Sequence, residues 1–348
     1  MSTENEVELT DAPSDGITAL RFSPDGASLL ASSWDQSLRL YDLQANALRM
    51  PAEALPSPLL DCDFVGDDEG SSAASGGLDG VVRLHRLLGG AAATTTLGSH
   101  ESAVCCVRSC DAMGPSCLVT GSWDKSLKLW DVRAASACVG TYEQPDKIFS
   151  LCAGAPGTAR GGNGTPLLVV ATAGRHIALL DLRSPTEAMQ QRESPFKCQT
   201  RCIAQMPGGQ CFTLGSVEGR VAVEYVDPSE EAQQRRYAFK CHRGTVGGVD
   251  TAFPVNALAF HPIHGSFATG GADGNVHVWD GAKKKRICSL RRYPTSVACL
   301  AFSPSGERMA VAASYTWELG EQAHAADAIF VRTVSDSEVK PKASKAKA

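Results

Sequence analysis

The chain contains no apolar run that approaches the ~20 residues needed to span a bilayer. Its opening residues, MSTENEVELT, are acidic and have no apolar centre, so they do not predict a secretory signal. Basic residues are not in excess either, because the formal net charge is -5. This balance argues against general nucleic-acid binding, which needs a basic footprint.

The motifs of metal and enzyme sites are also missing. Thirteen cysteines without a secretory signal are expected to be reduced thiols of the cytosol or nucleus, mostly buried as spacers. Neither the adjacent Cys105 and Cys106 nor Cys198 and Cys202 have the C-x₂-C spacing of a zinc site. Since no nucleophile elbow, paired carboxylates or cofactor fingerprint is present, we expect no enzyme activity, no cofactor and no metal.

A repeat of roughly 40–45 residues is present instead. A small-residue step and a tight turn recur as SSWD (32–35), GGLD (76–79), GSWD (121–124), ATAG (171–174), GSVE (215–218) and GGAD (270–273). Alternating strands such as SLRLYD, SLKLWD and NVHVWD follow several of these turns, and ITALRFSPDG (17–26) shows the strand and turn that precede them. Four strands per unit with a Trp-Asp ending predict an all-β WD-repeat β-propeller.

The seventh unit begins at Val297 and is one strand short. Its tight turn is enlarged to YTWELGEQAHAAD (315–327), and its third strand is AIFVRTV (328–334). The N-terminal VEL (7–9) is the natural fourth strand, and this exchange would close the ring and cover its exposed edges. We therefore predict a seven-bladed propeller over residues 1–339 and a basic, disordered tail over 340–348.

One blade carries a complete hydrogen-bonding set of His100, Thr120, Asp124 and Trp130, which links loop, strands and turn in this type of repeat. A catalytic reading of His, Thr and Asp is the alternative, but buried polar groups need such partners, which favours a structural role. The other blades lack the histidine in this interpretation, and Tyr293 takes its place before the seventh blade.

Three other segments resemble functional sites only superficially. The glycine-rich GAPGTARGGNG (154–164) lacks the Lys-Ser/Thr and helix of a phosphate loop. His261 and His264 have no third metal ligand, and LGGAAATTTLGS (88–99) consists of small residues around an outer strand.

Function is expected on the face formed by the tight turns and the loops that enter the first strands, because the strands themselves form the core. The slot before the turn residue holds large aromatics in three blades, Trp34, Trp123 and Tyr315, and these predict a partner-binding surface.

Cations fall around blade five on the same face. Arg201 enters its first strand, Arg220 follows its tight turn, and Lys240 and His242 precede blade six. In SVEGRVAVEYVD (216–227) the expected Asp residues are replaced by Glu218 and Tyr225, so this repeat is either decayed or adapted to a task. Converging cations favour adaptation to an acidic or phosphorylated peptide over a solvated rim.

These segments resemble the Bub-three (Bub3) family of WD-repeat mitotic-checkpoint proteins along nearly the whole chain. The resemblance is carried by SSWDQSLRLYD, TGSWDKSLKLWD, ATAGRH, QQRESPFKCQTRCI, EGRVAVEYVDPS, YAFKCHR, HGSFATGGADGNVHVWD and RRYPTSVACLAFS. The sibling Rae-one family of messenger-RNA export factors shares EGRVA and FKCHR, and export at the nuclear pore is the alternative function.

The resemblance implies a non-enzymatic adaptor of the spindle assembly checkpoint, located in the nucleus and at mitotic kinetochores, with the cytoplasm also compatible. Its implied partners are GLEBS segments of checkpoint kinases and kinase-like proteins, and threonine-phosphorylated MELT repeats of a kinetochore scaffold. Arg201 and Trp34 would serve the GLEBS segment, and Arg220 and Lys240 would hold the phosphothreonine. No membrane or small-molecule substrate is implied.

Overall fold

In the computed structural model, the described residues are 5–49, 53–66, 71–87, 93–110, 113–134, 136–154 and 166–342. Nearly all regular structure in these ranges is β-strand, joined by short turns. No helix among them is both long and apolar enough to cross a membrane. The glycine-rich segment 155–165, residues 88–92 and the tail after Lys342 lie outside the described residues, so the predictions made for them are not tested.

The first four blades follow one another along the chain. Blade one comprises β2 (Ile17–Phe22), β3 (Ser28–Ser33), β4 (Ser37–Asp42) and an outer strand in two pieces, β5 (Ala47–Leu48) and β6 (Glu53–Ala54). Blade two comprises β7 (Leu59–Phe64), β8 (Ser72–Gly77), β9 (Val81–Arg86) and β10 (Ala93–Ser99). Blade three comprises β11 (Val104–Ser109), β12 (Cys117–Ser122), β13 (Ser126–Asp131) and β14 (Cys138–Glu143). Blade four comprises β15 (Ile148–Ala153), β16 (Leu167–Thr172), β17 (His176–Asp181) and β18 (Gln190–Glu193).

The remaining blades carry the insertions. Blade five comprises β19 (Thr200–Gln205), β20 (Cys211–Ser216), β21 (Arg220–Tyr225) and β22 (Tyr237–Lys240), with the short helix α1 (Glu230–Gln234) before β22. A separate hairpin follows, β23 (Arg243–Val246) and β24 (Val249–Ala252). Blade six comprises β25 (Val255–Phe260), β26 (Phe267–Gly271), β27 (Val276–Asp280) and β28 (Lys285–Ser289). Blade seven comprises β29 (Val297–Phe302), β30 (Arg308–Ala313), β31 (Ala328–Thr333) and the N-terminal β1 (Glu6–Glu8), and α2 (Asp336–Val339) follows it.

The predicted ring closure is confirmed. Strand β1 pairs antiparallel with β31, so that Val7 lies opposite Val331 and the pairing continues through the Leu9 N–H, which donates to the Ile329 carbonyl over 2.8 Å. The Glu6 carboxylate accepts a 2.6 Å hydrogen bond from the Tyr293 hydroxyl and pairs with Arg291. The two ends of the chain therefore share one sheet, and the seven-bladed prediction is confirmed.

The hydrophobic core is divided among the blade interfaces. The described residues form seven apolar clusters, and each joins side chains of two neighbouring blades. A middle strand is therefore buried on both faces, as β3 and β16 are along their full length. The predicted alternation of β21 is wrong for the same reason, because Ala222 and Glu224 are as buried as Val221 and Val223, and Tyr225 is half-buried.

The innermost strand of every blade has the same irregularity. One residue near its start is skipped in the pairing with the second strand, which is a β-bulge that turns this residue away from the ladder. The skipped residues are Thr18, Leu60, Cys105, Phe149, Arg201, Asn256 and Ala298. Because each of them lies near the start of the first strand of its blade, they lie on one face of the propeller.

Candidate functional site

The entry loops and tight turns share one face in all seven blades, as predicted. In each blade the residue after the second strand donates its backbone N–H to the carbonyl of the residue before the first strand. The pairs are Trp34 to Gly16, Leu78 to Pro58, Trp123 to Ala103, Ala173 to Lys147, Val217 to Gln199, Ala272 to Pro254 and Ser314 to Ser296.

A central depression of about 740 Å³ opens on this face. Six of the seven bulge residues line it, all except Cys105, and Arg201 is the one cation among the six. The Arg201 side chain is exposed, and none of the described residues forms an ion pair with it. Trp34 also lines the depression, with 41% of its surface exposed and its ring lying over Gly16. The structure thus brings Arg201 and Trp34 to one cavity, as the sequence predicts.

The other two predicted aromatics behave differently. Trp123 is half-buried and does not line the depression that Trp34 lines. Tyr315 lines it but is only 5% exposed, because its hydroxyl accepts from the Leu319 N–H and donates to the Gly320 carbonyl over 3.0 Å each. The slot equivalent to Trp34 is held by Ser314, one residue earlier, and the prediction that Tyr315 occupies this slot is wrong.

Sequence reasoning missed the exposed aromatic of blade seven, Trp317. Its side chain lines the depression with 58% of its surface exposed, and Leu319 beside it is 76% exposed. The Trp317 backbone has φ 57°, which is strained for a bulky residue and is common at functional sites. Glu318 holds the segment in place by accepting hydrogen bonds from Ser296 and Thr316. The sequence located the enlarged turn, but only the tertiary structure shows that Trp317 in it is exposed and lines the depression.

A pair of cations lies toward the outer edge of the same face. Arg220 is the first residue of β21 and lies directly opposite Lys240, the last residue of β22. Residues opposite each other in this way have Cβ atoms ~5 Å apart, where two like charges repel. Among the described residues neither cation has an ion-pair partner, and the Arg220 Nε is buried without a hydrogen bond.

The tight turn of blade five explains why Arg220 is available to bind an anion. In blades one and three the turn carboxylates of Asp35 and Asp124 bind serine residues two positions later, Ser37 and Ser126. In blade five that position is Arg220, and in the described part of the chain the Glu218 carboxylate makes no such bond. With Glu218 and Arg220 in place of the Asp and Ser, no carboxylate in the described part of the chain pairs with Arg220.

His242 does not belong with these cations, and its predicted role as a phosphate ligand is wrong. The imidazole is 0% exposed, and its two nitrogens bond the Asp273 carboxylate and the Thr269 hydroxyl, each over 2.9 Å. The Trp279 indole donates to the same hydroxyl over 3.1 Å. Blade six therefore carries a second complete His/Thr/Asp/Trp set, contrary to the prediction that only one blade has it.

The blade-three set has matching contacts. His100 bonds Thr120 over 2.7 Å and Asp124 over 3.0 Å, and the Trp130 indole donates to Thr120 over 2.8 Å. Burial lowers the pKa of His100, although the nearby Asp124 carboxylate acts in the opposite direction. A neutral imidazole with both nitrogens engaged is a structural connector rather than a proton-transfer group.

One group of potential metal ligands lies in blade six, formed by His242, Asp273 and His277. The His242 nitrogens are already bonded to Asp273 and Thr269, and the His277 Nδ1 bonds Ser289 over 2.9 Å. Protein partners thus satisfy this group. His261 and His264 stack at 4.6 Å, and the His261 nitrogens bond Gly306 and the backbone of Ile263 and His264.

Comparisons with known proteins agree with the repeat architecture of the chain. The family model "WD domain, G-beta repeat" matches residues 6–42, 92–131 and 234–280. The "Mitotic checkpoint protein BUB3.1" of Arabidopsis thaliana is 48% identical over 96% of this chain and 94% of its own length. The "Mitotic checkpoint protein bub3" of Dictyostelium discoideum is 40% identical over 97% of this chain and 98% of its own length. The "Poly(A)+ RNA export protein" of Schizosaccharomyces pombe is 35% identical over 98% of this chain and 94% of its own length.

Proposed function

The chain belongs to the Bub3 family of WD40-repeat mitotic checkpoint proteins, and from this we propose that it is a non-enzymatic adaptor of the spindle assembly checkpoint. The adaptor holds two kinds of peptide on one propeller face. A GLEBS segment of a checkpoint kinase or kinase-like protein occupies the central depression, and a threonine-phosphorylated MELT repeat of a kinetochore scaffold occupies the rim of blade five. The protein acts in the nucleus and at mitotic kinetochores.

The observation that carries the phosphopeptide role is the placement of Arg220 directly opposite Lys240. Two unpaired like charges in cross-strand register destabilise the sheet unless an anion lies between them. A phosphothreonine carries nearly two negative charges and three acceptor oxygens, which an arginine fork and a mobile ammonium group can bind together.

The central depression supports the other role. Arg201 offers an uncompensated guanidinium inside a rim that also includes exposed Trp34 and Trp317. Aromatic side chains and arginine are the residue types that dominate binding energy at peptide interfaces. An acidic segment with bulky apolar residues complements this combination.

The experiment for the phosphopeptide site compares binding of MELT peptides with and without the threonine phosphate, with a GLEBS segment present. We expect Arg220→Ala and Lys240→Ala each to weaken phosphopeptide binding about ten- to a hundredfold, because loss of a charge-assisted contact costs roughly 1.5–3 kcal/mol. Fluorescence anisotropy of a labelled peptide gives the affinities.

Lys285→Ala is the control, since Lys285 is an exposed lysine that begins the outer strand of blade six. It should leave phosphopeptide affinity unchanged. Arg201→Ala should weaken binding of the GLEBS segment and leave the preference for the phosphorylated MELT peptide unchanged. Unaltered phosphopeptide binding by both the Arg220 and Lys240 variants would show that the assignment of the site is wrong.

A second candidate function is messenger-RNA export, since an RNA export protein is 35% identical to this chain. This role predicts co-purification with a nucleoporin segment and RNA. If RNA binding is lost on removal of the basic tail but survives changes on the face, nonspecific charge explains it.

A further inference from the structure

The hairpin between blades five and six ends in an exposed apolar tip. Among the described strands, β23 and β24 pair only with each other, and their turn consists of Gly247 and Gly248 with φ 57° and 82°. Positive φ at both turn residues is typical of a type I′ hairpin, in which the flanking residues lie side by side. These flanking residues are Val246 and Val249, which are 57% and 66% exposed.

The base of the hairpin is fixed against the tight turn of blade five. The Phe253 N–H donates to the His242 carbonyl over 3.0 Å, and Arg243 donates to the Glu218 carbonyl over 3.4 Å. Gly219 fits between the two chain segments, because a Cβ there would lie 2.4 Å from the His242 carbonyl oxygen and 2.9 Å from that of Phe253. The buried His242 therefore anchors the hairpin beside the cation pair.

The tip lies within reach of a peptide held by those cations. Arg220 follows Gly219 directly, and Lys240 lies three residues before Arg243. Val246 is three residues along β23 from Arg243, which corresponds to roughly 10 Å of extended chain. An extended peptide covers this distance in about three residues.

We propose that Val246 and Val249 form an apolar wall of the phosphopeptide site and contact a bulky apolar side chain within about three residues of the phosphothreonine. The inference rests on the proposed function and adds to it that the site selects an apolar side chain near the phosphothreonine. The hairpin is continuous with the cation pair through Arg243 and Glu218, so a phosphorylated segment with flanking apolar residues complements both parts. The wall thereby distinguishes one phosphorylated sequence from another, which the cations alone do not do.

The test uses the full-length protein and two phosphorylated peptides, a MELT peptide and one whose Met and Leu are replaced by Ala. The Val246→Ser/Val249→Ser double variant should bind the MELT peptide about tenfold more weakly than the wild type, because two methyl-rich contacts are lost. It should bind the Ala-substituted peptide as the wild type does. Anisotropy titrations measure all four affinities.

Val139→Ser is the matched control, since Val139 is a 61% exposed valine on the outer strand of blade three. It should bind both peptides as the wild type does. Thermal melting should be unchanged in all variants, because the substituted side chains already face solvent.

Equal affinity of the double variant and the wild type for the phosphorylated MELT peptide would overturn the inference and leave the proposed function standing. If the wild type sediments as a dimer and the double variant as a monomer, with the same peptide affinity, the inference is overturned. A second copy of the chain would then cover the tip. Wild-type protein that does not distinguish phosphorylated from unphosphorylated MELT would remove the proposed function and this inference together.

Discussion

At the scale of single residues, position in the repeat decides the role of each histidine and arginine. His242 immediately precedes Arg243 of the hairpin, and its carbonyl accepts a hydrogen bond from the Phe253 N–H. Its imidazole bonds Asp273 and Thr269 of blade six. Arg220 occupies a position where blades one and three have serine, and among the described residues it has no ion-pair partner. Residue type alone does not separate these two roles.

His242→Ala should therefore reduce stability rather than phosphate recognition. The change leaves the buried Asp273 carboxylate and the Thr269 hydroxyl without their main partner, and such losses cost about 3 kcal/mol. Urea unfolding gives the free energy of unfolding, and anisotropy well below the melting temperature should show retained phosphopeptide binding. Normal stability with lost binding would contradict the structural role.

At the scale of elements, the strands of blade six form a pH-sensitive unit. His277 on β27 is buried, and burial is the main cause that lowers its pKa to about 4, with smaller contributions from the neighbouring His242 and Arg286. Asp273 in the preceding turn also has a lowered pKa, because bonds from His242 and Asn275 outweigh the effect of burial.

The stability of the wild type should fall as the pH is lowered from about 6.5 to about 4. In this window the unfolded chain protonates His277 while the folded protein holds it neutral, so the unfolded state binds more protons. His277→Gln should reduce this slope, because the amide does not titrate. Urea midpoints measured at intervals between pH 4 and 7 test this, and an unchanged slope would show that other groups dominate.

Sequence patterns predicted the strands and their order but not which face of each strand is buried. Period-two alternation is expected when one face of a sheet meets solvent, whereas each blade is covered by a neighbour on both sides. Buried Glu224 in β21 is an example, since it is held by Arg192 and Arg236 from outside its own strand. In blade seven the position equivalent to Trp34 is held by Ser314 rather than by Tyr315. This shift of one residue leaves Tyr315 buried, where exposure was predicted.

At the scale of the whole molecule, the ring depends on contacts between blades that are distant in sequence. Bulge residues of the inner strands donate to the next blade, as Thr18 does to the Leu59 carbonyl, Cys105 to that of Ile148 and Asn256 to that of Val297. Strand β1 completes the circle by covering the edge of β31. Closure removes an edge that would otherwise pair with other chains.

Removal of residues 1–9 should lower the melting temperature by roughly 5 °C or more and produce oligomers. The deletion removes β1, the buried Leu9 and the bond from Tyr293 to Glu6, and it exposes the edge of β31. Calorimetry and size-exclusion chromatography measure the two effects. Removal of residues 1–4 is the control, and equal behaviour of the two deletions would show that β1 is not required for closure.

The amino-acid sequence by itself determined the blade number, the strand order and the closure by the N-terminus, because turn residues, strand periodicity and repeat spacing are local signals. It also identified Arg220, Lys240, Arg201 and Trp34 as residues of one face. Only the tertiary structure decided that Arg220 and Lys240 lie side by side, that His242 is buried and that Trp317 rather than Tyr315 is exposed. These outcomes depend on cross-strand register and on packing between blades, which residues distant in sequence determine.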